Sequence, residues 1–164
     1  MNKKILASVF VLGILSTVVV RGQSTRTTVK DLGKVGNMHF IQTRSDTITM
    51  VGIAQGDAYT MNMVAFPQKE ITEVIEVLNS YAAETKKNTS EQVILTDSTA
   101  SLVLSCHNVK GLGWLIMIHN TDPALEKSAE VIQRKSGMVQ YFFVTIKPNQ
   151  LAGVVKIFSK AANN

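Results

Sequence analysis

The chain has one cysteine, three prolines and one tryptophan in 164 residues, and only 18% of its residues are charged. A lone cysteine cannot close an intramolecular disulfide. It also leaves no partner thiols for a zinc knuckle, a CxxC redox pair or an iron–sulfur site. With three prolines, ten glycines and 45% hydrophobic residues, a collagen-like, low-complexity or disordered chain is excluded. Histidine is almost as scarce. His39, His107 and His119 form neither an i, i+4 pair nor an HxH, so no metal site and no cofactor is expected. There is no G-x-S-x-G elbow, no H-E-x-x-H, no P-loop and no G-x-G-x-x-G opening a helix. What remains is a folded domain of ordinary size, and the length favours one core over two.

One long hydrophobic run is present, at the start. Lys3 and Lys4 precede sixteen uncharged residues, Ile5 to Val20, and Arg21-Gly22-Gln23-Ser24 follows. That layout is a secretory signal, with cleavage expected after Gly22. As a helix the run would span about 24 Å, short of a hydrocarbon core about 30 Å thick, so no stable membrane span is expected after cleavage. Removal of residues 1–22 takes away three basic residues and no acid. The mature chain then carries 14 basic against 12 acidic residues, a formal net charge of +2 instead of the precursor's +5. So weak a charge gives little long-range attraction to phosphate backbones or anionic lipid, and speaks against a nucleic-acid partner. The expected setting is secreted or periplasmic, in a bacterium, judging from the Met1-Asn2-Lys3-Lys4 opening and compact leader.

Residues 23–37 read as an irregular lead-in, with a short edge strand at most around Thr27 to Lys30. Residues 38–164 read as a single α+β domain: a mainly antiparallel sheet of about six or seven strands carrying three helices. Strands are expected at Met38–Thr43, Thr47–Ala54 and Ala58–Phe66, separated by turn-like Arg44-Ser45-Asp46 and Gln55-Gly56-Asp57. After Pro67, the stripe Ile71, Val74, Ile75, Leu78 and Ala82 predicts a helix over Lys69–Lys86, with acids near its start and lysines at its end. Asn88-Thr89-Ser90 closes it and fits an N-glycosylation acceptor. Further strands are expected at Gln92–Thr96, Ser101–His107 and Trp114–His119. Trp114–His119 is apolar on both faces and belongs inside a sheet. Asp122-Pro123 predicts a second helix stopping at Gly137. Val139–Ile146 is the most strand-like run, and a third helix should span Asn149–Ala161.

At an offset of eighty residues the halves resemble each other. Val64, Phe66, Ile71, Val74, Ile75, Val77 and Leu78 correspond to Val144, Ile146, Leu151, Val154, Val155, Ile157 and Phe158. Two explanations stay open: duplication of a strand-meander-plus-helix unit (half-repeats 38–87 and 92–161), or the pattern any strand followed by an amphipathic helix must show. In outline, an alternating sheet closed by a helix resembles the units of single-strand nucleic-acid-binding domains, but no diagnostic motif accompanies the likeness.

Candidate chemistry is sparse. In Ser101–His107 alternation sets Leu102, Leu104 and Cys106 on one strand face and His107 on the other, so Cys106 is expected among the leucines and cannot meet its neighbour. His119 is the remaining partner for the thiol, and His107 and His119 flank an expected hairpin at Lys110–Gly113. Cys106, His107 and His119 are therefore the weak catalytic candidates. Met61 and Met63 could give an adaptable apolar surface, and Tyr59 and Tyr141 exposed contacts; these four are the weak ligand-binding candidates. Trp114, Phe142 and Phe143 are expected in the core. The leading expectation is an exported, non-catalytic binding or interaction domain with a protein or small-molecule partner of the envelope. A small hydrolase or thiol-dependent enzyme and an extracytoplasmic single-strand nucleic-acid binder are the alternatives.

Overall fold

The computed structural model describes residues 27–56, 60–84, 90–96, 101–110, 113–121 and 139–163. In order these form β1 (Thr28–Val35), β2 (Met38–Arg44), β3 (Thr49–Gly56), β4 (Thr60–Pro67), a 3-10 turn (Gln68–Glu70) and α1 (Ile71–Glu84). There follow β5 (Ser90–Thr96), β6 (Ser101–Val109), β7 (Gly113–Asn120), β8 (Val139–Tyr141), β9 (Phe143–Ile146) and α2 (Pro148–Ala162). The α+β class with antiparallel sheets holds, but the strands make two sheets where one was expected. One sheet runs β1-β2-β3-β4-β8 and the other β5-β6-β7-β9. Every ladder is antiparallel except β4 with β8. Alternation reports which residues share a face and not which strands pair, so it could not separate the sheets. Two helices are described; the helix expected from Asp122, and the Asn88 and Thr89 of the glycosylation sequon, lie outside the described residues.

Two local corrections follow from the same physics. Within the lead-in, Thr28–Val35 form an eight-residue edge strand, β1. Its residues are mostly exposed, and the ladder to β2 shifts between Asp31 and Gly33, so no buried face imposed an alternating pattern. Gly33 takes φ +119° at that bulge, and its N–H donates to Asp31 Oδ1 at 2.8 Å, a backbone state that glycine adopts without steric cost. The second correction is Val139–Ile146, which is not one strand. It changes sheets at Phe142, with β8 on β4 and β9 on β7.

In each sheet four strands stand in chain order before a helix, β1 to β4 before α1 and β5, β6, β7 and β9 before α2, with β8 added in parallel at the edge of the first. The rows across them correspond: Phe40, Ile53 and Val64 lie abreast in the first, Leu104, Ile118 and Val144 in the second. Among the residues whose burial is described, those buried in α1 are Ile71, Val74, Val77, Leu78 and Tyr81, and in α2 Leu151, Val154, Ile157, Phe158 and Ala161. Every one of the five pairs is eighty residues apart.

Both sheets and both helices share one hydrophobic core, and the helices reach across to the opposite sheet. Phe158 of α2 packs edge-on against Phe40 of β2 and Phe66 of β4, with ring centroids 5.6 Å apart in each case. Tyr81 of α1, fully buried, donates its hydroxyl to the carbonyl of Leu104 in β6 at 2.8 Å. Burying such rings stabilises the fold by about 1.5–3 kcal/mol each. The sheets are further joined by two side-chain amides at equivalent places. Gln55 Oε1 accepts the N–H of Thr145 at 3.0 Å, and Asn120 Oδ1 accepts the N–H of Ala65 at 3.0 Å. Ala65 and Thr145 are eighty residues apart, and Gln55 and Asn120 occupy matching ends of β3 and β7. Each amide thus satisfies a backbone donor on the edge of the other sheet, which would otherwise go unpaired.

Candidate functional site

Where the first amide bridge crosses between the sheets, a cleft of about 460 Å³ opens, lined by Asn37, Gln55, Gly56, Asn62, Thr145, Lys147 and Gln150. That volume suits a small ligand. Asn37 comes from the tight Gly36-Asn37 turn joining β1 to β2, where Gly36 takes φ +57°. A Cβ on Gly36 would overlap the Gln150 amide, so glycine lets the hairpin tip close on the start of α2. Gln55 holds the back of the cleft. Its Nε2 donates to Asn37 Oδ1 at 3.2 Å and to the carbonyl of Thr145 at 2.9 Å. The Thr145 hydroxyl donates to Gln55 Oε1 at 3.3 Å. Pro148 at the first helical position and Gln150, whose Oε1 accepts the Lys147 N–H at 3.0 Å, fix the start of α2 on the opposite wall.

The cleft's chemistry is one-sided. Among the described lining residues there is no carboxylate, and Lys147, exposed, is the one with a cationic side chain. Asn62 Oδ1 is buried and accepts no hydrogen bond, an arrangement that ordinarily costs about 1–3 kcal/mol. Asn62 is also the ladder partner of Tyr141 in β8, so the two side chains leave the same sheet face. Tyr141 is exposed, and its ring stands 5.7 Å from that of Phe143, tilted by 43°.

The other candidates are dispersed. Cys106 is buried at 4% exposure on the core face of β6. His107 lies across from Leu115 and His119 across from Val103. The imidazoles therefore share the outer face four residues apart along the ladder, about 13 Å at strand rise, and neither is on the side of the thiol. The register sets them apart because the hairpin closes near Val109 and Gly113, leaving His119 well beyond the turn. Met63 is buried with Ile41 and Ala54 in a small second cluster, against which Phe142 packs half-buried. Trp114 is half-buried at the margin of the main core, and Phe143 is half-buried in β9. The Met61 side chain and Tyr59 lie outside the described residues. Among the described residues no group of three His, Cys, Asp or Glu stands close enough to hold a metal ion, and no helix is long and apolar enough to cross a membrane.

At the far edge of the first sheet, His39 Nε2 lies 3.1 Å from Asp31 Oδ1. Partial burial raises the Asp31 pKa, but His39, the Gly33 N–H and Lys34 outweigh it and hold the carboxyl below its usual value.

The residues that line the cleft were missed in the sequence because Asn37, Asn62 and Gln150 are ordinary turn, strand and first-turn residues taken singly. A signal was available in the offset of eighty residues, which sets Asn62, Thr145, Lys147 and Gln150 against Phe142, Ala65, Pro67 and Glu70. No family model and no curated protein matches the chain. Among solved structures, one described as Trypanosoma bruciei MRP1/MRP2 is similar to it with a TM-score of 0.38 and 9% identity, over 92% of this chain and 90% of that one.

Proposed function

We propose that the mature chain is an exported, non-catalytic binding module whose ligand enters the polar cleft, and that its two meander-and-helix halves descend from one duplicated unit. The carrying observation is the buried, unpartnered Asn62 Oδ1 in a cleft of amides, one hydroxyl and one lysine. Buried polar atoms are normally satisfied by protein or solvent; Asn62 lines this ligand-sized space, and a small turn of its amide would bring Oδ1, now closed to solvent, to a ligand donor. Duplication is supported by the shared strand order, the five matched buried helix positions and the reciprocal amide bridges. Export is supported by the leader, whose features are those of a cleaved signal.

Two experiments test this reading. N-terminal sequencing of exported protein should begin at Gln23, and an intact Met1 in a membrane pellet contradicts export. The soluble polymer and small-molecule fractions of envelope extract should raise the melting temperature of the mature chain, and the rise should vanish in an Asn62→Leu, Lys147→Met double variant. A rise that survives those substitutions puts the binding surface elsewhere.

A further inference from the structure

The duplicated framework contains its own control for what the fold requires in the cleft. Where the first half carries an inter-sheet amide the second does too, Gln55 matching Asn120; this feature belongs to the scaffold. The other lining positions are not held to the same chemistry. Opposite Asn120, whose N–H donates to the Phe142 carbonyl, the second half places Phe142 where the first places Asn62 opposite Gln55. Ala65, Pro67 and Glu70 stand where the cleft has Thr145, Lys147 and Gln150. An apolar ring, a methyl, a proline and an acid therefore serve the framework at these positions. The polar and cationic set around Asn62 is an addition to the scaffold, and it costs stability, since Asn62 Oδ1 is buried without a partner.

The added groups specify a ligand. The amide nitrogens of Asn37, Asn62 and Gln150 and the Lys147 ammonium are donors, and among the described lining residues there is no carboxylate to repel an anion. Asn62 Oδ1, closed to solvent as it stands, accepts a hydroxyl or N–H donor once its amide turns toward the cleft. Tyr141, paired with Asn62 across the ladder and backed by Phe143, offers an exposed ring face beside it. Hydroxyls that both give and accept, one carboxylate and a C–H face for the ring are the features of a sugar acid. We infer that the cleft binds a hydroxylated carboxylate of the uronic-acid type. Lys147 takes the carboxylate, Asn62 and Gln150 take ring hydroxyls, and Tyr141 stacks on the sugar face. This assignment rests on the cleft being the binding site.

The test is titration calorimetry of the mature chain with D-glucuronate, D-glucose and acetate, repeated on Lys147→Met and Asn62→Leu. Glucuronate should bind, and glucose and acetate should each bind at least roughly tenfold more weakly, because each lacks half of the recognition. Lys147→Met, at an exposed position, should weaken glucuronate roughly tenfold or more and bring its affinity toward that of glucose. Asn62→Leu should lose a similar factor while melting at the wild-type temperature or above it, a combination that a merely structural Asn62 would not give. Tighter binding of a glucuronate-ended tetrasaccharide than of the free acid would identify a glycan end as the source, and the reverse order the free acid. The inference is overturned by no heat at about 10 mM glucuronate, by glucose or acetate equalling glucuronate, or by affinity unchanged in both variants. If glucuronate fails while envelope fractions still stabilise wild type and not the double variant, the cleft stands as the binding site and the sugar-acid assignment alone falls.

Discussion

Replacing Gln55 by methionine removes one of the two amide bridges while keeping the side chain's length. Thr145 then loses the acceptor for its N–H and the donor for its carbonyl, which lie 3.0 and 2.9 Å from the Gln55 amide, and Asn37 loses its 3.2 Å contact. Gln55 is only 9% exposed, so water replaces these partners poorly. At about 1–2 kcal/mol for each partly buried backbone group, the loss should be about 2–4 kcal/mol. For a domain of this size that lowers the melting temperature by about 7–13 °C. Asn120→Leu removes a single acceptor, that of Ala65, and should cost about 1–2 kcal/mol. The double variant should fall short of the sum, because once one bridge is gone water reaches the other. Urea denaturation of the four proteins reads these differences directly. A Gln55→Met variant within about 0.5 kcal/mol of wild type, the ordinary range for surface changes, would refute the bridge as a structural joint between the sheets.

Phe158→Ala should be among the most damaging single changes, costing about 3–5 kcal/mol by equilibrium unfolding, since one ring contacts Phe40 and Phe66 at no solvent exposure. Gly36→Ala should destabilise by about 1 kcal/mol or more, because φ is positive there and the new methyl meets the Gln150 amide; a stabilised variant would show that the turn is not pressed against α2. Asp31 has a folded pKa below its unfolded one, so its contribution is present above the unfolded pKa and disappears as pH falls through the folded value. With its side chain 67% exposed, screening keeps that contribution under about 0.5 kcal/mol. Asp31→Asn should therefore cost a few tenths at neutral pH and nothing in strong acid, measured by urea unfolding at both. Cys106 should react with a thiol reagent only after denaturant is added, given its 4% exposure.

Periodicity made the helices legible: the stripe from Ile71 predicted α1 to within two residues of its start, and the helix expected over Asn149–Ala161 is α2 to within one residue at each end. The strand runs were legible from their apolar and branched residues and the turn-like groups between them, although β2 and β3 are buried on both faces. Pairing was not, because β8 and β9 are one continuous apolar run whose division at Phe142 depends on which edge each part meets. β1 was underread because its exposed faces carry no alternation. The burial of Cys106 followed from the Leu102 and Leu104 pattern, whereas the separation of His107 from His119 required the ladder register. The cleft was hidden because its residues come from a turn, two sheets and a helix start, and meet only through the amide bridge that joins the sheets.

The most direct test of the cleft is the side-chain amide spectrum of the mature chain as glucuronate is added. The NH₂ resonances of Asn37, Asn62 and Gln150 should shift together along one saturable curve while that of Asn120, at the matching bridge in the other half, stays in place. Resonances that stay put at Asn62 and Gln150, or shifts of equal size at Asn120, would contradict a ligand seated among these groups.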